Sequence, residues 1–122
     1  MRILIIDDNE LVRRGVKELI SSERSWEVCG EARDGAEGIE KARELHPDVI
    51  LLDISMPGMN GLEVARHLRQ DSQETIILIM SQNDASQLLP GAIAARADGC
   101  VDKSRISTDL VAAIRSVKAR RD

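Results

Sequence analysis

The chain has 122 residues, a formal net charge of −4 and no apolar run long enough to cross a membrane. These features predict one soluble domain, and 21 acidic against 17 basic residues argue against direct binding to nucleic acid. Because Asp7 appears early and no basic-then-apolar leader precedes it, we expect a cytoplasmic protein without a membrane anchor.

Strand-like and helix-like segments alternate along the chain. Short apolar runs bounded by turn residues predict strands, and apolar residues that recur every three or four positions predict helices. The predicted order is strand Arg2–Ile6, helix Asn9–Ser22, strand Trp26–Ala32, helix Gly35–Leu45, strand Val49–Asp53, helix Asn60 to about Arg69, strand Thr75–Met80, a helix in the second half of 83–97, strand Gly99–Asp102 and helix Thr108 to about Arg120.

This alternation predicts right-handed crossovers and a parallel sheet that is covered by helices on both faces. The Trp26–Ala32 strand alternates in polarity, so we expect it at an edge. Cys29 and Cys100 lie in apolar, strand-like settings, which favours buried free thiols over a disulfide. Residues 1–122 are interpreted as one domain, and only 118–122 are candidates for the start of a linker.

Acidic residues follow two of the predicted buried strands. Asp7 and Asp8 come after the first strand, and Asp53 closes the third. If these strands are neighbours, their ends lie about 5 Å apart, and two carboxylates at that distance repel by roughly 3 kcal/mol at an effective dielectric of 20. A cluster with that energetic cost suggests a bound divalent cation.

Helix capping is the ordinary explanation for acids in this position. One of Asp7, Asp8 and Asn9 is expected to cap the helix that follows them. Capping cannot account for both Asp7 and Asp8. It also fails for Asp53, because Pro57-Gly58 follows this residue instead of a helix.

Ser81 and Lys103 follow the fourth and fifth predicted strands, at the same edge of the sheet. An acid pair suits Mg²⁺, a third carboxylate can accept a phosphoryl group, and a hydroxyl and an ammonium can hold phosphoryl oxygens. Alone, such a serine is usually a loop hydrogen-bonding residue and such a lysine is usually solvated. The joint pattern is what favours a site.

These motifs resemble the receiver domain of two-component response regulators over essentially the whole chain. The resemblance rests on Asp7-Asp8, on the segment Leu51–Gly61 around Asp53, on Ser81, and on Lys103 within Val101–Ser104. It implies a flavodoxin-like (βα)5 doubly wound parallel sheet with strand order 2-1-3-4-5.

The resemblance also implies the role of each site residue. Asp53 would accept a phosphoryl group from a sensor histidine kinase, with Ser81 and Lys103 assisting. Mg²⁺ would be bound by Asp8, Asp53 and the backbone carbonyl of Ser55, with help from Asp7. Such a domain is a switch and not a multiple-turnover enzyme.

The segments Trp26–Ala32 and Asp53–Glu63 look most like the receiver subclass that is fused to a C-terminal helix-turn-helix DNA-binding domain. This resemblance implies a regulator of transcription whose DNA contacts are made outside the chain. The resemblance is also compatible with a homodimer that forms on phosphorylation.

Three departures from the family pattern fall on its output face. Cys100 stands where an aromatic residue is usual, and Gln82 stands where a small residue is common. Pro90-Gly91 interrupts the fourth helix, and Arg96 replaces a usual glycine near the end of that helix. Because proline is best tolerated in the first turn of a helix, we expect this helix to begin near Pro90 and Asn83–Leu89 to form an irregular loop.

Two other functions compete with this interpretation. A Mg²⁺-dependent phosphatase with an aspartate nucleophile would carry a second aspartate two residues after the first, where this chain has Asn9, and 122 residues leave no room for a substrate-covering cap. A receiver that binds partners without being phosphorylated would normally have lost an acid or the lysine, and neither is missing.

Overall fold

The computed structural model describes residues 1–56, 58, 60–82 and 85–122, and for 85–89 it describes the main chain alone. Across these residues, parallel strands form one sheet between two layers of helices. The elements are β1 Arg2–Ile6, α1 Glu10–Ser21, β2 Glu27–Ala32, α2 Gly35–Leu45, β3 Val49–Asp53, α3 Gly61–Asp71, β4 Ile76–Ser81, α4 Ala85–Ala94, β5 Gly99–Asp102, a 3₁₀ turn Lys103–Arg105, and α5 Ile106–Arg121.

The sheet has the strand order β2-β1-β3-β4-β5, and each neighbouring pair is parallel. From β1 the chain passes to β2 on one side of it, and then returns to β3 on the other side of β1. Ile6 pairs with Leu52, so the residues after β1 and β3 emerge side by side. The predicted flavodoxin-like topology is confirmed, and the carboxyl ends of β1 and β3 meet where the winding reverses, which is where sheets of this kind generally bind ligands.

Each face of the sheet carries its own apolar layer, because side chains alternate along a strand. Ile3 and Ile5 pack with α1 and α5, whereas Leu4 and Ile6 pack with α2 and α3. Every residue of β3 and β4 is buried, which explains their unbroken apolar sequences. Strand β2 is only partly covered, as expected for an edge strand.

Asparagine side chains fix where two of the helices begin. Oδ1 of Asn9 accepts from the backbone N–H of Leu11 at 2.9 Å, and Oδ1 of Asn60 accepts from that of Leu62 at 2.8 Å. The capping explanation therefore applies to Asn9. Asp7 and Asp8 are not used as the cap of α1.

The expected start of the fourth helix near Pro90 is wrong, because α4 begins at Ala85. Asn83, the first residue of the expected loop, lies outside the described residues. Pro90 removes one hydrogen-bond donor from the helix, but it is exposed, whereas Ala92 and Ala95 are buried.

Other differences from the sequence predictions are smaller. Strand β4 is shifted by one residue, and α5 begins at Ile106 after the 3₁₀ turn. Leu11, expected to face inward, is 72% exposed. The two cysteines are free but only half-buried. Within the part of the chain described, no helix is both long and apolar enough to cross a membrane.

A buried arginine organises the amino end of the sheet, opposite the acidic edge. Arg69 donates to the Thr75 carbonyl at 2.7 Å, to the Arg96 carbonyl at 3.0 Å and to the Asp98 carboxylate at 2.9 Å. Arg121, from the last turn of α5, donates to the carbonyls of Thr75 at 3.0 Å and Gln73 at 2.6 Å. These bonds fasten α3, the turn before β5 and the end of α5 to the start of β4.

Candidate functional site

Three carboxylates meet at the carboxyl ends of β1 and β3. One oxygen from each of Asp7, Asp8 and Asp53 lies within 4.8 Å of the others. Asp7 and Asp53 are 0% and 2% exposed, whereas Asp8 is exposed. The register that places Ile6 beside Leu52 brings these acids together.

Asp7 is held by contacts on every side. Its backbone N–H donates to the Ala32 carbonyl at 3.0 Å, and its Oδ1 accepts from the backbone N–H of Asn9 at 2.8 Å. Its Oδ2 lies 2.8 Å from Nζ of Lys103. Burial raises the pKa of Asp7, although the Lys103 ammonium and the Asn9 N–H oppose that rise.

Asp53 has a different group at each of its two oxygens. The backbone N–H and the hydroxyl of Ser55 both donate to Oδ1 at 3.0 Å. Nζ of Lys103 lies 3.2 Å from Oδ2. The carboxylate is thus oriented by its own loop and paired with one cation.

Lys103 follows β5 and reaches back over the edge of the sheet. Its side chain is only 9% exposed, and burial alone would lower its pKa. Its contacts with Asp7 and Asp53 outweigh that effect, so the pKa of Lys103 is raised and the amine stays charged. One ammonium among three carboxylates still leaves the site with net negative charge.

Ser81 is the last residue of β4 and lies opposite Asp102 in the β4–β5 register. It is 1% exposed. The residue directly after Asp102 is Lys103, so the register brings a hydroxyl and an ammonium to the same edge. All the side chains that the sequence singled out therefore lie at one end of the sheet.

The donors at this site fit a hard divalent cation such as Mg²⁺. Among the described residues, Oδ2 of Asp7 is buried and has no well-aligned hydrogen bond apart from its ionic contact with Lys103. Asp8 offers an exposed carboxylate at the same place. Carboxylate oxygens with access to water are the ligand set that Mg²⁺ prefers.

The loop after Asp53 is packed tightly against the start of α3. A Cβ added at Gly61 would lie 2.5 Å from Cα of Ile54 and 3.1 Å from the carbonyl oxygen of Asp53. Gly58, in the same loop, has a φ of 85°, a conformation that L side chains rarely adopt. These two glycines let the chain turn sharply beside the acids.

Sequence reasoning missed Arg13, which is 9% exposed and donates to the Asp7 carbonyl at 2.7 Å. The signal was present in the spacing. Arg13 stands three residues before Val16 and seven before Ile20, and all three are buried on one face of α1. A charged residue on an apolar helical face indicates a buried partner.

Comparisons with known proteins agree with the geometry. A model of the response regulator receiver domain family matches residues 3–115. Nitrate/nitrite response regulator protein NarL of Escherichia coli (strain K12) is 43% identical over 117 residues, which covers 96% of this chain and 54% of that protein. Transcriptional regulatory protein LiaR of Bacillus subtilis (strain 168) is 39% identical over 117 residues, covering 95% and 55%.

Solved structures show the same similarity. The crystal structure of a LuxR-family two-component response regulator from Aurantimonas sp. SI85-9A1 has a TM-score of 0.91 at 37% identity, covering 98% of this chain and 86% of that one. The chain spans about half the length of the curated relatives it matches.

Proposed function

This chain belongs to the response regulator receiver domain family, and from that premise we propose that Asp53 is its phosphoacceptor. The observation that carries the proposal is the environment of Asp53. It ends a strand buried on both faces, Ser55 orients one of its oxygens, and Lys103 faces the other. Asp7 is less suited to be the nucleophile, because its pKa is raised and its backbone and side-chain contacts hold it in place.

Phosphoryl transfer to Asp53 requires few steps from the protein. A carboxylate oxygen forms a bond to phosphorus while the bond from phosphorus to the donor nitrogen of a phosphohistidine breaks. The imidazole leaves with the electron pair and takes up a proton. The site orients the carboxylate of Asp53 and offsets the negative charge of the phosphoryl group that approaches it.

Lys103 and Ser81 are proposed to hold the transferred group. Lys103 already pairs with Oδ2 of Asp53 at 3.2 Å, so its ammonium can remain beside the new phosphoryl oxygens. Ser81 is a hydroxyl donor at the end of the adjacent strand. Both residues can stabilise the added negative charge from their positions at the ends of β4 and β5.

Mg²⁺ is the proposed cofactor, and Asp8, Asp53 and the backbone carbonyl of Ser55 would hold it, with Asp7 assisting. The ion supplies positive charge to a site that is otherwise negative. The proximity of the three acids, of which Asp8 is exposed to water, supports this assignment.

A sensor histidine kinase is the proposed phosphodonor. The proposed output is a C-terminal DNA-binding domain in a longer protein, and the proposed location is the cytoplasm. A homodimer that forms on phosphorylation fits the same scheme. Residues 1–122 are proposed to be one receiver domain, and 118–121 belong to α5.

Intact-mass spectrometry with acetyl phosphate and Mg²⁺ tests the phosphoacceptor. The wild-type protein should gain one phosphoryl group and Asp53→Asn should gain none. Asp71→Asn, which removes an exposed acid that pairs with Arg43, is the matched control and should behave like wild type.

Three results would contradict the proposal in different ways. Full phosphorylation of Asp53→Asn would place the acceptor elsewhere. Many phosphodonor molecules consumed per protein would indicate a phosphatase. No incorporation into the wild-type protein would indicate a receiver that binds partners without phosphorylation.

A further inference from the structure

Arg13 is a buried cation that the proposed phosphoryl transfer does not use. Its side chain is only 11% exposed. It lies on α1, the helix that follows Asp7 and Asp8. One of its terminal nitrogens donates to the carbonyl oxygen of Asp7 at 2.7 Å, and its Nε donates to Glu31 at 3.0 Å. Burying a guanidinium is costly unless such partners compensate for the lost water.

The carbonyl that Arg13 binds belongs to the peptide group between Asp7 and Asp8. A peptide group is planar, so fixing its oxygen also fixes the direction in which the chain leaves for Cα of Asp8. The other side of Asp7 is fixed as well, because its N–H donates to Ala32. Arg13 therefore helps to set the position of Cα of Asp8, from which the exposed carboxylate of the cluster extends.

Glu31 holds Arg13 in the direction required for this contact. One carboxylate oxygen of Glu31 accepts from Arg13, and the other lies 2.8 Å from Nζ of Lys17. The hydrogen bond from Lys17, followed by that from Arg13, lowers the pKa of Glu31, so the acid stays ionised. Arg13 and Lys17 share this carboxylate, and the contacts that Arg13 makes with Glu31 and with the Asp7 carbonyl are directed hydrogen bonds.

We propose that Arg13 is a positioning residue that preorganises Asp7 and Asp8 for a divalent cation. The inference rests on the proposed function, since it takes the acid cluster to be a Mg²⁺ site. It adds a buried residue on α1, together with its partner Glu31 on β2, to the groups that determine how tightly the site binds metal.

The decisive measurement is the Mg²⁺ dissociation constant, by calorimetry, of wild type and three variants. Arg13→Met keeps much of the side-chain volume but removes the donors, and we expect it to weaken Mg²⁺ binding about tenfold, as for other partners of metal ligands. Arg13→Lys restores one donor and should give an intermediate value. Arg14→Met is the control, because it removes the same charge from the exposed neighbouring position.

A second measurement uses metal-free protein. Hydrogen exchange of the backbone amides of residues 8 and 9 should become faster in Arg13→Met than in wild type or Arg14→Met. If Arg13→Met does not fold, both measurements are made on Arg13→Lys and Glu31→Gln. Each of these variants should weaken Mg²⁺ binding by less than the roughly tenfold effect expected of Arg13→Met.

Several outcomes would overturn the inference. A folded Arg13→Met protein with a wild-type dissociation constant would show that Arg13 only stabilises the fold, even if its melting temperature falls. Equal weakening by Arg14→Met would show that the effect does not depend on the hydrogen bonds of Arg13, because the loss of a positive charge beside the acids would by itself strengthen cation binding. A wild-type protein that binds no Mg²⁺ would remove the proposed cofactor and this inference together, whereas wild-type binding with unaffected variants would remove this inference alone.

Discussion

Nζ of Lys103 lies 2.8 Å from Oδ2 of Asp7, and this ion pair is nearly inaccessible to water. The pair does not fully compensate for the burial of the acid, because the pKa of Asp7 remains raised. A buried ion pair can leave the protein no more stable than a neutral replacement would. The metal-free site is thus a source of instability.

We predict that Asp7→Asn stabilises the metal-free protein at neutral pH. Because its pKa is raised in the folded protein, Asp7 binds its proton more tightly there than in the unfolded chain. Its ionisation therefore lowers the free energy of unfolding at pH values above the folded-state pKa. This loss disappears as the pH falls toward the ordinary pKa of 3.8. The expected gain is about 1 kcal/mol, within the range for single stabilising substitutions. Urea unfolding without metal at neutral pH and near pH 4 measures it, and the gain should shrink at the lower pH.

The exposed Asp8 provides the comparison for Asp7→Asn. Because water still reaches its carboxylate, Asp8→Asn should change the free energy of unfolding less. An Asp7→Asn protein less stable than wild type at both pH values would mean that the Lys103 pair is worth more than the cost of burial.

Mg²⁺ should raise the melting temperature of the wild-type protein. A ligand that binds only the folded state stabilises it by about 1.4 kcal/mol at ten times its dissociation constant. Asp8→Ala should remove most of this effect. Sodium chloride at equal ionic strength separates specific binding from charge screening, and a melting temperature unaffected by millimolar Mg²⁺ would argue against a metal site.

Gly61→Ala should destabilise the protein by about 2 kcal/mol, in the range for overpacking. The new Cβ would lie 2.5 Å from Cα of Ile54, so the backbone beside Asp53 must shift. Thermal unfolding measures the loss, and phosphorylation should slow because Ser55 shifts with that backbone.

Gly15→Ala is the matched control for this effect. Gly15 lies within α1, and no neighbouring atom comes within 4 Å of the place that an alanine methyl group would occupy. Alanine there should stabilise the protein by about 0.5–1 kcal/mol through helix propensity. Equal effects of the two alanine substitutions would contradict the tight packing inferred at Gly61.

Arg96→Gly should stabilise the protein by about 0.5–1 kcal/mol. Arg96 has a φ of 65° at the end of α4, where its N–H donates to the Ile93 carbonyl and that of Ala97 donates to the Ala92 carbonyl. This is a Schellman motif, in which glycine is preferred at the left-handed position. The exposed contact of Arg96 with Gln73 is lost, but such surface contacts contribute little.

Denaturant unfolding measures the change, with Arg66→Gly as the comparison. Arg66 is exposed within α3, where glycine should cost about 1 kcal/mol. If Arg96→Gly is destabilising, the contacts of Arg96 outweigh its backbone strain.

The parts of the molecule that the sequence predicted are those set by local patterns. The apolar runs of β3 and β4, a helix cap within residues 7–9 and the turn after Asp53 depend on neighbouring residues, although only the structure identifies Asn9 as the cap. The acidic edge followed from the topology that those runs imply, since parallel strands present their carboxyl ends together.

Features fixed by distant contacts could not be predicted in this way. Arg69 looks like a surface residue until the carbonyls that it binds are known, and for Arg13 the helical spacing indicates burial but does not identify the carbonyl of Asp7 as its partner. The start of α4 was misplaced because local preferences at Pro90 suggested a helix start, whereas the helix begins at Ala85 and runs through Pro90. Local propensity did not decide where this helix begins.

Helix α5 is held at both ends, and this changes how it can respond mechanically. At one end it continues from the 3₁₀ turn that Lys103 begins, and at the other Arg121 is bonded to Gln73 and Thr75. A helix of its length spans about 24 Å, so a free swing of roughly 5° would carry its tip about 2 Å. Because both ends are attached, we expect α5 to resist such a swing, so that a displacement at Lys103 would move the helix along its axis toward the amino end of the sheet.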